Sequence, residues 1–249
     1  MFKNIVRIVV RESFPPSVRG RPPLLDFDDA YDDIVHLVRT GVQWRQLRPK
    51  AKVSHITVFK RMHRWIDAGV FRTAYERLLR LHHRSRRPRY CCVDSSYVKN
   101  VYGVDCIGRN PTDRGRMATK LSAAVDDKGI AYSLICTPGN RSDMQLLEPT
   151  LAAAITPTAV GTPLYTDKGY DSAANRRTCL AYGYRDRIFR RRTSNGRRTH
   201  AKRGVVERFF SWLDKYRRLI VRYERYVTTY VAMTHLACGR LLERRSVGV

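Results

Sequence analysis

The sequence predicts an α/β fold, a mixed sheet flanked by helices, preceded by a small all-α unit. Three observations predict it. From residue 90 onward, short apolar runs and helical patterns follow one another as strand, strand, strand, helix, strand, helix, strand, helix. Before residue 84 the apolar spacing is helical, with Gly41 and Gly69 as breaks. Residues 203–225, RGVVERFFSWLDKYRRLIVRYER, read as one amphipathic helix with a broad aromatic face.

Residues 1–25 are expected to form an N-terminal arm, in which Ile5 to Val10 can form a strand or short helix and SFPPSVRGRPP is a Pro and Gly break, an extended arm or a plain linker. Residues 26–83 are expected to form three helices. Asp28 or Asp29 caps the first, which Gly41 ends. Ser54 caps the second, with Val58, Met62, Trp65 and Ile66 inward and Lys60, Arg61 and Arg64 nearer the outside. Gly69 separates it from the third, which buries Tyr75, Leu78 and Leu79. A basic second helix after a turn is helix-turn-helix-like and fits a DNA-reading unit; a packing unit with a basic exterior is the alternative. Residues 84–89, RSRRPR, are the expected linker to a second domain over 90–249.

In that domain residues 90–93 form a strand that ends at Asp94. Residues 117–125 and 130–136 form a hairpin around the turn Asp126-Asp127-Lys128-Gly129. TPGNRSD is a turn in which Ser142 or Asp143 caps the next helix, and Pro149 kinks that helix or opens a second one. Residues 164–166 form a strand ending at Asp167, residues 172–182 a helix and residues 187–189 a strand. A last helix covers about residues 227–244.

The net charge is +26, from 48 Lys plus Arg against 22 Asp plus Glu, and it calls for a polyanionic partner. Three Trp, fourteen Tyr and eight Phe set the chain apart from ribosomal and histone-like proteins of similar charge. Residues 185–203 carry nine Lys or Arg without a core pattern, which suits a loop that orders on DNA or a solvated basic loop. The six Cys contain no CxxC pair, which argues against a structural zinc site and for free thiols in a reducing compartment. No apolar run approaches the ~18 residues of a membrane span, and Arg7 interrupts the N-terminal run. The expected location is intracellular: cytoplasmic and nucleoid-associated, or nuclear in a eukaryotic host.

Three carboxylates stand out. Asp94 and Asp167 each follow a short strand, and Glu207 lies on the amphipathic helix, opposite its apolar face. Two strand-borne Asp and one helix-borne Glu can hold two divalent cations about 4 Å apart, the layout for in-line attack on a phosphodiester. Asp171 and Asp143 read as helix caps, and Asp126 and Asp127 as turn residues. The seven His show no metal-ligand spacing; His82 and His83 are adjacent, and helix neighbours point apart.

The segments VDSS, TPGNRSD, TDKGYDS and RGVVERFFSWLDKYRRLIVRYE resemble the insertion-sequence-5 family of DDE transposases, in the family's order, over roughly residues 28–244. The resemblance implies a ribonuclease H-like catalytic domain with Asp94, Asp167 and Glu207 as catalytic residues and metal ligands. It implies Mg2+, with Mn2+ as substitute, and double-stranded DNA, both element terminal repeats and target, as partner. It also implies a homo-oligomer that joins two ends, and no membrane. Lys60, Arg61 and Arg64 of the helical unit, with Lys168, Arg191, Arg192 and Arg203 around the carboxylates, are the expected DNA contacts. The family's signature runs Tyr, two residues, Arg, three residues, Glu, six residues, Lys. Here His200 stands at the Tyr position and Asp214 at the Lys position, with Arg203 and Glu207 in place. Lys215 and Arg218 are expected to supply the missing contact. A decayed or domesticated transposase that only binds DNA is the rival reading, and a Mg2+ nuclease without strand transfer is a third.

Overall fold

The computed structural model describes residues 1–15, 24–156, 158–190 and 197–246, with no side-chain description for 197–201 and 246. Helix α1 (Phe2–Ser13) opens the chain and buries Phe2, Val6 and Val9. An i, i+4, i+7 apolar spacing makes it a packed helix, the helical alternative for Ile5 to Val10 extended at both ends, while residues 16–23 of the expected arm lie outside the described residues. α2 (Phe27–Thr40) is capped by Asp26, whose side chain accepts from Asp29 N–H, and stops at Gly41 with φ 73°. After a 3₁₀ turn at Trp44–Gln46, α3 (His55–Asp67) is capped by Ser54 as expected. α4 (Val70–Ser85) begins after Gly69.

The sheet strands and their helices follow: β1 (Cys91–Asn100), β2 (Gly108–Arg109), β3 (Met117–Asp126), β4 (Ala131–Pro138), α5 (Leu147–Ala152), β5 (Thr162–Thr166), α6 (Ala173–Ala181) and β6 (Tyr184–Ile188). α7 (Arg197–Leu213), α8 (Arg217–Ile220), β7 (Val221–Arg222) and α9 (Val227–Ser246) complete the chain. β4, β3, β1, β5 and β6 lie side by side; β2 adds to β3 and β7 to β1. β3 is antiparallel to β1 and β4, while β5 is parallel to β1 and β6. Three antiparallel strands followed by two parallel ones, in this order, are the ribonuclease H-like arrangement.

Two further differences from expectation bear on the site. β1 does not end at Asp94: it pairs with β3 from Cys91↔Asp126 to Lys99↔Ala118, and β3 supplies backbone partners to the polar Asp94-Ser95-Ser96 step. The helix expected over residues 203–225 ends at Leu213. There the chain turns at Tyr216, and α8 packs on α2, where a Cβ at Gly41 would lie 3.2 Å from Arg217 Cβ. Burial of Tyr216 and Leu219 in this corner outweighs the continuing helical period.

α4 packs on α1 and α9, and Tyr75 of α4 donates its hydroxyl to Ala131 O of β4. The helical segment and the sheet therefore share one hydrophobic core across residues 84–89. No described helix is long and apolar enough to cross a membrane.

Candidate active site

β1 and β5 set the site. Cys91 is opposite Leu164, and Cys92 opposite Tyr165. Asp94 and Asp167 each lie three residues beyond the first of these pairs, so the parallel register brings them out side by side. Asp167 follows β5 directly and accepts from Gly169 N–H in a 3₁₀ turn, Lys168–Tyr170. Asp94 accepts from Ser95 N–H at 2.8 Å. Its side chain is 22% exposed, against 42% for Asp167.

A cation sits between them. Arg203 Nη2 on α7 lies 3.2 Å from Asp94 Oδ2 and 3.7 Å from Asp167 Oδ2. The guanidinium packs over Phe189 at 5.7 Å, and its buried Nε has no hydrogen-bond partner. Burial pushes the Asp94 carboxyl above the usual carboxylate range; the Ser95 N–H and Arg203 oppose this, and the Asp167 charge adds to it. Two adjacent carboxylates that draw one guanidinium nitrogen form an all-oxygen donor pair with a demand for positive charge. That pair fits a hard divalent cation.

Glu207 is exposed on α7, one turn beyond Arg203. Among the described residues no hydrogen bond or ion pair joins its carboxylate to Asp94 or Asp167. Val205, Val206, Phe209 and Leu213 hold α7 against the sheet, and Val205 and Trp212 close on Gly129 of the β3–β4 turn. The helix thus runs from the aspartates, at Arg203, toward that turn, with Glu207 on its exposed side.

The basic residues fall into different settings. Lys168 is exposed beside Asp167. Arg191 and Arg192 lie outside the described residues. Lys60 is exposed on α3, but Arg61 donates to Leu25 O at 3.3 Å and Arg64 stacks over Phe14 at 4.3 Å. Lys215 is exposed past the end of α7. Arg218 is buried: its Nε meets Glu224 Oε1 at 2.7 Å. The break after Leu213 takes Arg218 off the face of Glu207, so the surface contact expected of it is replaced by a buried ion pair.

Ser142 or Asp143 is the expected cap, yet the N-cap position of the 3₁₀ turn Asp143–Gln145 is Ser142, whose side chain makes no cap bond, and Asp143 is engaged elsewhere. Asp143 Oδ1 accepts from Ser95 Oγ and pairs with Lys120 Nζ, both at 2.7 Å. Lys120 is buried on β3 and also reaches Arg141 O. A Cβ at Gly169 would lie 3.2 Å from Asp167 Oδ1 and 3.3 Å from Asp143 Oδ2. Asp143 is therefore a further carboxylate at the rim of the site. The Asp that closes TPGNRSD was the available signal, and its resemblance to a cap hid it.

The chain matches the family described as "Transposase DDE domain" over residues 59–242, and the one described as "Putative transposase of IS4/5 family" over residues 7–75. The "Putative transposase for insertion sequence element IS402" of Burkholderia cepacia is 38% identical over 139 residues, 53% of this chain and 65% of that protein. The chain thus covers just under two thirds of that relative. The "Putative transposase for insertion sequence element IS6501" of Brucella ovis is 30% identical over 132 residues, 50% of this chain and 98% of that protein. Among solved structures, the piggyBac transposase synaptic complex with hairpin DNA is similar over 96% of this chain and 70% of that one, with TM-score 0.50 and 9% identity, a likeness of fold.

Proposed function

Because the chain belongs to the DDE-domain transposases of the IS4/5 family, we propose that it binds the ends of an insertion element and catalyses metal-dependent DNA strand cleavage and transfer. The observation that carries this reading is the register pair Asp94 and Asp167, converging with Arg203 where β5 ends and its parallel pairing with β1 stops. Asp94 and Asp167 are the residues that hold divalent cations, Mg2+ or Mn2+, and Glu207 is the third carboxylate of the set. When bound, such cations activate water and neutralise charge on the scissile phosphate.

The remaining work belongs to the chain's own side chains. Arg203 and Lys168 bind phosphate oxygens beside the aspartates. Ser95 N–H and Gly169 N–H fix the two carboxylates, and Lys120 fixes Asp143. The excess of Lys and Arg supplies the electrostatic attraction for double-stranded DNA, with Lys60 and the basic stretch containing Arg191 and Arg192 as contacts. Lys215 lies at the end of α7 and adds to this surface. Assembly of two copies on two ends, in the cytoplasm with the nucleoid, follows from the same reading.

The test is cleavage and strand transfer of labelled element ends with and without Mg2+. Asp94→Asn and Asp167→Asn should abolish both while leaving DNA affinity intact. A variant that still cleaves removes the assignment. The second reading, a decayed copy that only binds DNA, draws on Asp214 at the family's Lys position. It predicts DNA binding without cleavage in the natural sequence, restored by Asp214→Lys.

A further inference from the structure

A second cluster of ligand-type side chains lies where the end of α4 meets the β3–β4 turn. His82 Nε2 is 3.5 Å and His83 Nε2 3.8 Å from Asp126 Oδ2. The three atoms lie within 4.8 Å of one another. All three are buried, and none has a hydrogen-bond partner. Asp126 is 0% exposed, and its Oδ2 has no hydrogen bond, only the two imidazoles and the Arg86 guanidinium at 3.5–3.8 Å, so a cation bound directly to it would offset much of its desolvation cost. Although adjacent in sequence, the two histidines occupy the last turn of α4, and their rings converge with centroids 5.5 Å apart.

The neighbours hold these atoms in place. Asp126 Oδ1 accepts from Lys128 N–H at 2.9 Å and Ile130 N–H at 2.8 Å, which fixes Oδ2 toward the histidines. His83 Nδ1 bonds Thr156 Oγ1 at 2.6 Å, the kind of outer contact that orients a ligating imidazole and leaves Nε2 for the ion. Zinc bonds of about 2.0–2.1 Å in a tetrahedron set donors about 3.3 Å apart, close to the two spacings seen here. Two imidazoles and one carboxylate select a borderline ion such as zinc over Mg2+. Arg86 Nη1 stands 3.7 Å from the same Oδ2, also without a hydrogen bond, while its Nη2 is on Asp127. An entering ion displaces only that Nη1 contact, and Arg86 keeps its hold on Asp127. His82 and Arg86 also line an open groove of about 980 Å³, which gives an ion a way in.

We propose that His82, His83 and Asp126 form a binding site for zinc or a similar borderline divalent ion, which clasps the end of α4 to the β3–β4 turn. It is separate from the aspartate pair in position and in donor chemistry, and it does not rest on the transposase reading. The experiment uses the full chain, stripped with chelator and titrated with Zn2+ against a chromophoric competitor. One equivalent should bind and raise Tm. Co2+ should give the visible absorption of a low-coordinate nitrogen and oxygen site. His82→Gln and His83→Gln should each abolish stoichiometric binding, and Thr156→Val should weaken it about 10-fold through the lost orientation of His83. Asp94→Asn with Asp167→Asn should leave it unchanged. Absence of a stoichiometric site in the natural chain overturns the proposal, as does zinc lost with the aspartates and not with the histidines. If the histidine variants fail to fold, unchanged affinity in Thr156→Val overturns it equally.

Discussion

Arg203 Nη2 lies 3.2 Å from Asp94 Oδ2, a charge-assisted bond that spans most of the sequence between strand and final helices. The same nitrogen is 3.7 Å from Asp167, so one guanidinium answers both carboxylates. A divalent ion between the aspartates has to displace it. Charge-assisted bonds contribute about 1.5–3 kcal/mol, so Arg203→Ala should raise Mn2+ affinity in DNA-free protein about 10-fold or more. Calorimetry or Mn2+ resonance measures this directly. Strand cleavage should fall at the same time, because the phosphate contact is lost. Unchanged or weaker Mn2+ binding would show that the arginine does not compete.

Asp94 also predicts a pH dependence of stability. Burial raises its carboxyl above the ordinary value of 3.8. An acid whose folded pKa is raised binds its proton more tightly in the folded state. Ionisation then costs stability above the folded pKa, and the cost disappears as pH falls below 3.8. Asp94→Asn should therefore raise Tm at pH 7, with the gain shrinking as pH is lowered through the raised pKa. Scanning calorimetry of both proteins across that range tests it; a Tm loss at pH 7 contradicts it.

Arg218 should behave as a structural residue. Its partner Glu224 has a side chain only 4% exposed, and breaking such a pair by removing one member costs about 3–5 kcal/mol. Arg218→Ala should cost that much in denaturant unfolding, whereas Lys215→Ala should stay within about 0.5 kcal/mol. Equal effects on stability and a loss of DNA affinity specific to Arg218→Ala would return it to the surface.

Asp143 and Lys120 should act as a unit. Asp143→Ala leaves the buried Lys120 without its ion pair and should cost about 3–5 kcal/mol. Adding Lys120→Met should recover much of that loss. If Asp143 also serves the site, the double variant regains stability and not cleavage. Recovery of both would leave Asp143 a purely structural role.

The pairing of Asp94 with Asp167 was legible only through the ribonuclease H-like order that the resemblance implies, which makes the two strands neighbours; the local strand-then-Asp pattern holds for Asp167 and fails for Asp94, where β1 runs on to Asn100. Helix caps at Ser54 and the stops at Gly41 and Gly69 are local too. The break at Leu213 was not legible: residues 203–225 keep a helical period, and only the burial of Tyr216 and Leu219 against α2 ends it. That break is also why Arg218 was misread. Asp143 was hidden by a motif that serves caps and sites alike. His82, His83 and Asp126 escaped because spacing rules look for ligands along the chain, and the carboxylate comes from a distant turn.

The bond from Tyr75 to Ala131, with α4 lying between α1 and α9, has a consequence for how such proteins change over generations. A segment that shares its interior with the chain's last helix cannot be traded alone between related elements. A new N-terminal region would meet an α9 shaped for another partner. If α3 contacts the element ends as proposed, divergence in end preference should then proceed by point changes on its exposed side, around Lys60, while the inward positions drift only in concert with α9.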